Sequence, residues 1–129
     1  QSCALKIPET GKYSCAEGQY IKVESHARTP DFYPSRKPMV ATLDADKVEF
    51  PLTLRRIIPG DRFRPFGMKG SKLVSDFLTD IKCNAFEKEE QLVVEDASQR
   101  IVWLIGRTAD DFRIDDSTNQ ILQIEYIST

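Results

Sequence analysis

The sequence has very few residues of the kinds that hold metals or build disulfide frameworks. Its 129 residues include one histidine, His26, and three cysteines, Cys3, Cys15 and Cys83. No two cysteines have the CxxC spacing, and a structural zinc ion needs four nitrogen or sulfur ligands. Three cysteines also cannot pair completely, which is typical of proteins from a reducing compartment. The composition argues against structural zinc and a disulfide scaffold, and we expect a cytoplasmic protein.

Long apolar runs are also missing. No run approaches the length of about 18 residues that a membrane-spanning helix needs, and no signal-peptide pattern occurs. We therefore expect no membrane partner. The hydrophobic content of 40% is enough for a sizeable core, and the length fits one domain with a small N-terminal subdomain. Gln1 is not an initiator residue, so we expect the chain to start inside a longer protein or to have been processed.

The motifs of nucleotide binding and nucleophilic catalysis are absent. The sequence contains neither GxxxxGK(S/T) nor GxGxxG. Ser75 and Asp76 have no histidine nearby, because His26 is the only one, so a Ser/His/Asp arrangement is not expected. Asp76 and Asp80 would share a helix face and could bind a divalent cation. We prefer a solvated face, or a pairing of Asp76 with neighbouring basic residues, and expect neither catalysis nor a cofactor in this chain.

One segment is strongly basic although the chain as a whole is slightly acidic. Residues 55–72 contain six basic side chains and one acid, Asp61, a local balance of +5 in a chain with a formal net charge of −2. The basic residues are Arg55, Arg56, Arg62, Arg64, Lys69 and Lys72. The net charge does not forbid an anionic partner, because the local field governs the contact. The segment therefore predicts a site for phosphate.

The basic segment leads directly into a helical pattern. Apolar residues recur on one helical face at Leu73, Val74, Phe77, Leu78 and Ile81. This spacing predicts a helix over residues 71–82, with Ser71 as the N-cap and with Phe77 and Leu78 buried. The N–H groups of its first turn would add to the anion site. The simpler alternative is a capped surface helix beside a solvated loop.

The remaining elements are predicted to be mostly strands. Alternating or short apolar runs predict strands at residues 19–25, 39–43, 47–55, 91–95, 100–106 and 120–127. Three prolines make residues 28–38 a loop. Residues 44–46 predict a hairpin-like turn, residues 96–99 predict a polar turn between two strands, and Pro51 predicts an edge or a bulge in its strand. Trp103 is expected in the core. This order of elements predicts an α+β fold.

The aromatic residues of the basic segment allow two interpretations. Phe63 and Phe66 alternate with Arg62 and Arg64, a pattern compatible with base stacking. The alternative, which we prefer, is that the rings anchor the loop to the core.

The segment around the predicted helix resembles a known family. The run PGDRFRPFGMKGSKLVSDFLTDIK strongly resembles the C-terminal domain of tRNA(Ile)-lysidine synthetases. The matching positions are Arg55, Gly60, Asp61, Arg62, Phe63, Gly67, Met68, Lys69, Gly70, Lys72, Val74, Ser75, Asp76, Phe77, Leu78 and Lys82. Residues 101–106 and 121–124 resemble a late strand and the closing strand of that family. The resemblance covers about residues 47–127.

The resemblance implies a tRNA-binding part of a larger enzyme. Enzymes of this family bind ATP through an SGGxDS loop in an N-terminal domain. With ATP, magnesium and lysine they convert the wobble cytidine in the CAU anticodon of tRNA(Ile) to lysidine. This chain contains no SGGxDS sequence, so the resemblance implies a fragment without a catalytic centre or cofactor. It would bind the acceptor-stem region of tRNA(Ile) while the N-terminal catalytic domain works at the anticodon.

The same resemblance implies the domain boundaries, the fold and the site. Residues 47–129 would form the tRNA-binding domain, and residues 1–46 a preceding subdomain or linker. The fold would be layered, β-sandwich-like sheets with flanking helices, resembling the B3/B4 type module of the tRNA-synthetase β-subunit. The RNA-binding residues would be Arg55, Arg62, Arg64, Lys69, Lys72, Lys82 and Lys88. Two other hypotheses stay open: a non-enzymatic protein-interaction domain with a solvated basic loop, and a small-molecule enzyme that uses Asp76 and Asp80.

Overall fold

The computed structural model describes residues 5–35, 37–64, 69–107 and 114–128, and these residues fold mainly into strands. They contain ten strands, two short α-helices and one 3₁₀ helix. In chain order these are β1 (Leu5–Ile7), β2 (Gly11–Ala16), β3 (Gln19–Ala27), β4 (Val40–Asp44), the 3₁₀ helix (Ala45–Lys47), β5 (Leu52–Arg56), β6 (Arg62–Phe63), β7 (Lys72–Leu73), α1 (Val74–Asp80), α2 (Ala85–Glu90), β8 (Leu92–Glu95), β9 (Ile101–Leu104) and β10 (Gln120–Ser128).

The strands form two four-stranded sheets and a small hairpin. The first sheet has the order β1-β5-β8-β9, the second has the order β2-β3-β10-β4, and β6 pairs with β7. Every pairing among the described strands is antiparallel. The α+β class is confirmed by these sheets and the two short helices. No helix in the described part of the chain is long and apolar enough to cross a membrane.

The two large sheets pack against each other over one hydrophobic core. Leu54 of β5 and Val94 of β8 belong to the same buried cluster as Ile21 of β3 and Ile124 of β10. Trp103 is buried in this cluster, as its place in an apolar strand predicts. Burying one such side chain stabilises the fold by about 1.5–3 kcal/mol. The contact between the sheets is therefore the main source of stability.

Strands from both sides of residue 46 contribute to this core. β1 pairs with β5, so that Leu5 lies opposite Leu54. β10 lies between β3 and β4 in the second sheet. The expected boundary between residues 46 and 47 thus separates segments that share both sheets. The assignment of tRNA binding to residues 47–129 stays a prediction.

The other face of the first sheet is covered by the β6–β7 hairpin and α1. Successive residues of β8 face opposite ways, so Val94 joins the core between the sheets while Val93 packs with Phe63 and Val74 in a second cluster. Both faces of the first sheet are therefore covered, which explains why all four residues of β9 are apolar. The fold has three layers: the second sheet, the first sheet, and the hairpin with α1.

The predicted polar turn at residues 96–99 is confirmed, and the strands on its two sides pair with each other. β8 and β9 pair with Val94 opposite Trp103. The turn between them is organised by the buried carboxylate of Asp96, which accepts from the N–H groups of Ser98 at 3.0 Å and Arg100 at 3.1 Å. These bonds satisfy the buried oxygen atoms and fix the turn.

The predicted hairpin at residues 44–46 is wrong. β4 lies in the second sheet and β5 in the first, so the chain crosses between the sheets at this point. The crossing begins with the 3₁₀ helix, whose N-cap Asp44 accepts from the N–H of Asp46 at 3.0 Å. Asp44 is buried and also accepts from Thr118 Oγ1 at 2.9 Å. Pro51 precedes β5 and therefore removes no hydrogen bond from its ladder.

The predicted helix over residues 71–82 is shorter than expected. Leu73 occupies the N-cap position without a side-chain cap, so Ser71 is not the cap. The residues just before α1 pair with β6 instead of extending the helix. Leu78 is buried as predicted, whereas Phe77 is only half-buried at the edge of the second cluster.

Helix α2 was not predicted. Asn84 Oδ1 accepts from the N–H of Glu87 at 2.8 Å, and Glu87 Oε1 accepts from the N–H of Asn84 at 2.8 Å. This reciprocal arrangement is a capping box, and Asn-x-x-Glu is its sequence signal. None of the six residues of α2 is buried, so no apolar periodicity marked the helix.

Candidate nucleic-acid interface

The β6–β7 hairpin carries the centre of the predicted basic surface. Arg62 lies in β6 and Lys72 in β7, while Arg64 follows β6 and Lys69 precedes β7. Opposite Cα atoms of paired antiparallel strands are about 5 Å apart, so the pairing brings these cations onto one short element. We call Arg62, Arg64, Lys69 and Lys72 the hairpin cations. Phe66, between them in sequence, lies outside the described residues.

The aromatic residue of the hairpin is an anchor. Phe63 is 5% exposed, and its ring meets that of Phe77 edge to face, with 5.1 Å between centroids and an interplanar angle of 87°. A ring buried in this way offers no open face to a base. The anchoring interpretation of Phe63 is confirmed.

Arg62 is oriented by a contact across the hairpin. Its Nε donates to Ser71 Oγ at 2.9 Å, and its Nη2 donates to the main-chain oxygen of Ser71 at 3.2 Å. A guanidinium has five N–H donors, so these two bonds fix the side chain and leave donors that can reach a phosphate. Ser71 therefore orients a cation of the hairpin and does not cap α1.

Lys72 is paired with an acid of α1. Its Nζ contacts the carboxylate of Asp80, and the two side chains are 26% and 59% exposed. The pairing that the sequence predicts for Asp76 is thus made by Asp80. Exposed ion pairs stabilise a fold by on the order of 0–1 kcal/mol, so a phosphate can compete for this lysine. Within the described residues, no three metal-binding side chains cluster around these aspartates or elsewhere.

Arg55 is held in an internal ion-pair network. Its Nη1 and Nη2 donate to the two carboxylate oxygens of Asp61 at 2.9 and 3.1 Å, and its Nε donates to Glu95 at 2.9 Å. The hydrogen bond to Asp61 is the largest cause that raises the pKa of Arg55, burial opposes it, and Glu95 adds to it. Two carboxylates already compensate this charge, so the geometry gives Arg55 a structural role. Its contact with RNA stays a prediction.

Asp61 connects the turn, the strand and the helix of the site. Its carboxylate accepts from Arg55 and from the N–H of Ile58 at 2.8 Å, and its main-chain oxygen accepts from the N–H of Val74 at 2.8 Å. Its own N–H donates to the Ile58 oxygen at 3.2 Å and closes a turn in which Gly60 has a φ of +93°, a region that favours glycine. The first N–H of α1 is therefore bonded to a loop carbonyl and is not available to an anion.

The other two predicted cations lie at the C-terminal end of α1. Lys82 has a φ of +69°, and its N–H donates to the Thr79 oxygen at 2.9 Å. The N–H of Cys83 donates to the Leu78 oxygen at 2.9 Å, which completes a Schellman motif. Lys88 of α2 contacts Thr79 Oγ1 through its Nζ. Lys72 of the hairpin also reaches this end of α1, through its contact with Asp80, so Lys72 and Lys88 contact neighbouring residues of the helix.

The contact that links β5 to α2 was not predicted. Arg56, a member of the basic segment with no predicted role, forms an ion pair with Glu90 at 3.1 Å. The residues are far apart in sequence, and α2 itself was not predicted. The capping box at Asn84 was the signal that could have placed Glu90 on a helix near the site.

These observations define the class of the domain by its fold: an α+β domain in which two packed antiparallel sheets support a hairpin that carries exposed cations. No family model matches the chain.

Curated relatives share one name. The chain is 44% identical over 100 residues to the tRNA(Ile)-lysidine synthase of Parabacteroides distasonis, which covers 77% of this chain and 23% of that protein. It is 45% identical over 105 residues to the tRNA(Ile)-lysidine synthase of Bacteroides thetaiotaomicron, and this match covers 81% of this chain and 24% of that protein. The chain belongs to the tRNA(Ile)-lysidine synthase family, whose members are also called synthetases. It spans about a quarter of the length of these relatives and matches their C-terminal part.

The crystal structure of the TILS C-terminal domain has the same fold. It matches this chain with a TM-score of 0.81 and covers 100% of this chain and 98% of the solved chain. The two sequences are 22% identical, so the likeness is one of fold.

Proposed function

We propose that this chain is the tRNA-binding C-terminal domain of an ATP-dependent tRNA(Ile)-lysidine synthetase. It recognises the acceptor-stem region of tRNA(Ile), while an N-terminal catalytic domain of the same protein converts the wobble cytidine of the CAU anticodon to lysidine. ATP, magnesium and lysine act in that other domain, and the protein works in the cytoplasm. The chain by itself forms no lysidine.

The hairpin cations are the observation that carries the proposal. Arg64 and Lys69 are exposed, Arg62 keeps donors beyond its bonds to Ser71, and the Lys72 pair with Asp80 lies at the surface. Double-stranded RNA is recognised mainly through its shape and through phosphate and 2′-hydroxyl contacts. Phosphate contacts fix the position of the RNA without reading its sequence. Cations on an anchored hairpin suit this kind of recognition.

The anchoring explains how the domain positions its substrate. Burial of Phe63 and the bonds of Asp61 hold the hairpin against the first sheet, so its cations need little reordering when RNA binds. Lys82 and Lys88 lie at the end of α1 that Lys72 reaches through Asp80, so they can add phosphate contacts beside those of the hairpin.

A protein-interaction domain with a solvated basic loop is the second candidate. The pairing of Arg55 with Asp61 and of Lys72 with Asp80 supports it, because both cations are compensated within the domain. The two candidates predict different effects of removing exposed lysines from the hairpin.

We also infer that the layered fold corresponds to the B3/B4 type module of the tRNA-synthetase β-subunit. The two packed antiparallel sheets with short flanking helices support this. Superposition on such a module tests it: the orders β1-β5-β8-β9 and β2-β3-β10-β4 should both be reproduced.

Filter binding of acceptor-stem RNA at several salt concentrations tests the RNA site. Each of Lys69→Ala and Lys72→Ala should weaken binding and lower the slope of log K against log[salt] by roughly 0.7–0.9, because one phosphate contact releases about one counterion. Lys12→Ala is the matched control, since Lys12 lies on β2 of the second sheet. Unchanged affinity and slope in both hairpin variants would remove the hairpin from the RNA site and favour the protein-interaction candidate.

A further inference from the structure

Helix α2 presents an aromatic side chain to solvent. None of its residues is buried, and Phe86 is 70% exposed. Helices shorter than about 12 residues are marginal in water and depend on packing of an apolar face. A polar contact, the Arg56–Glu90 pair at 3.1 Å, links α2 to β5. Phe86 belongs to neither of the two buried clusters of the described residues.

Phe86 borders an open groove of about 700 Å³. The groove lies between α2 and residues of both large sheets, and its apolar lining includes Met39, Leu92, Ile105 and Tyr126. Five large apolar side chains of the described residues are exposed, and two of them, Met39 at 47% and Phe86, line this groove. Clustered exposed apolar side chains with a polar rim mark contact sites for proteins.

The chemistry of the groove does not suit RNA. Arg56 is paired with Glu90, and Arg107 donates to Gln91 Oε1 at 3.4 Å and to Cys83 Sγ at 3.1 Å. On the α2 side the groove is lined by Glu87 and Glu90 and not by Lys88, so this side of the groove repels phosphate. The occupant that fits is a protein segment that inserts apolar side chains beside Phe86 and leaves the charged rim in water.

The length of the relatives indicates a source for such a segment. The chain spans 23–24% of two tRNA(Ile)-lysidine synthases, so a protein of their length has about three times as much further polypeptide. A segment of the same polypeptide is present at high effective concentration and avoids the cost of bimolecular association. A small groove of this kind is therefore better suited to a partner in the same chain than to a second copy.

We propose that the α2 groove is the docking surface for an apolar segment from the remaining part of the same polypeptide. Phe86 and Met39 insert into that contact and fix the orientation of this domain relative to the rest of the protein. The inference rests on the proposed function, because it requires that the chain be one domain of a longer synthetase.

Hydroxyl-radical footprinting of the whole protein, without tRNA, tests the docking. Oxidation of Phe86 and Met39 is measured by mass spectrometry, each relative to the urea-denatured protein. Tyr33, 84% exposed and outside the groove, is the internal control. We expect Phe86 and Met39 to lose most of their oxidation while Tyr33 retains it, at every protein concentration. Phe86→Asp should restore oxidation of Met39, whereas Tyr33→Asp should not.

Each other outcome overturns the proposal. Oxidation of Phe86 and Met39 in proportion to their exposure would mean that the groove is open. Protection that disappears on dilution would assign the groove to a second copy, and protection that requires added tRNA would assign it to RNA. The footprint involves no RNA binding by the hairpin, so failure of the salt-slope experiment and failure of the docking experiment are separate results.

Discussion

Arg55 and Asp61 form a two-point ion pair, with Nη1 to Oδ2 at 2.9 Å and Nη2 to Oδ1 at 3.1 Å. Their side chains are 18% and 10% exposed. Asp61 also accepts main-chain N–H groups from the turn and from the first residue of α1. This one residue therefore links β5, the turn before β6, and the helix that packs on the first sheet.

Asp61→Asn should destabilise the domain by about 2 kcal/mol, because hydrogen bonds to charged groups contribute about 1.5–3 kcal/mol. The amide removes the charge that compensates Arg55 and leaves a single acceptor where two were used. Urea unfolding of the variant measures the loss. Glu9→Gln, at an exposed position, is the matched control and should lie close to wild type. Equal stability of both variants would contradict a structural role for the pair.

Leu78→Ala should cost about 2–5 kcal/mol, since the side chain is fully buried and its removal leaves a cavity. Ile81→Ala, just beyond the same helix, should cost much less because Ile81 is 40% exposed. Phe77→Ala should fall between them, because its ring is half-buried. Denaturant titration of the three variants gives the order. Ile81→Ala as the most costly of the three changes would contradict the burial of Leu78 in preference to Ile81.

Lys82→Gly should stabilise the domain by about 1 kcal/mol, because a left-handed backbone costs a residue with a Cβ roughly 1–2 kcal/mol. Lys82→Ala removes the same charge and keeps the strain, so it should not be stabilising. If Lys82 contacts RNA, both variants should lose affinity equally. A stabilising effect of alanine equal to that of glycine would refute the strain argument.

Asp80→Asn should strengthen RNA binding if Lys72 contacts a phosphate, because it releases the lysine from its internal partner. Asp76→Asn removes the same charge from the same helix without touching Lys72, and it should have a smaller effect. Filter binding at low salt compares the two. In a Lys72→Ala background the difference between the aspartate variants should vanish. If both aspartate variants gain the same RNA affinity in the wild-type background, the gain comes from the change in net charge and not from the release of Lys72.

Asp115 should make the stability of the domain depend on acid pH. Hydrogen bonds from the hydroxyl and then the N–H of Ser117, with help from Lys47, hold the pKa of Asp115 well below its ordinary value. The carboxylate thus stabilises the fold at pH above about 4, and this contribution is lost as the pH falls through the lower, folded-state pKa. In urea titrations from neutral to acid pH, Asp115→Asn should lose stability less steeply than wild type. Asp116→Asn, which removes the neighbouring exposed carboxyl and keeps the Ser117 and Lys47 contacts of Asp115, is the matched comparison.

The sequence predicted those parts of the fold that depend on local pattern. Strands β8 and β9 with the turn between them, the last strand and the burial of Trp103 followed from short apolar runs and turn residues, and the burial of Leu78 followed from helical spacing. The crossing after Asp44 could not be predicted, because a turn pattern does not say whether the next strand returns to the same sheet. The start of α1 was misplaced because pairing of Leu73 with Arg62 overrides a helical periodicity that includes Leu73.

The cations of the site could be predicted from the amino-acid sequence, but their ion-pair partners could not. The charge imbalance of residues 55–72 is enough to identify the hairpin cations from the amino-acid sequence. The ion pair between Arg55 and Glu95 depends on the pairing of β5 with β8, which brings the two residues together from 40 positions apart. The role of Asp80 depends likewise on the position of β7 relative to α1. Contacts between residues that are far apart in sequence decide which cations have an acidic partner. The local sequence around each cation does not reveal these contacts.

The position of β10 has a consequence for folding during synthesis. In the second sheet β10 lies between β3 and β4, and it pairs with both over most of its length. Strands β3 and β4 are therefore translated many tens of positions before the strand that joins them, at about 5–20 residues per second. Until β10 leaves the ribosome, both strands have an unpaired edge and the apolar side of the first sheet is uncovered. The nascent domain is thus an aggregation-prone half-sandwich for several seconds, and a chaperone that covers strand edges would act in this interval.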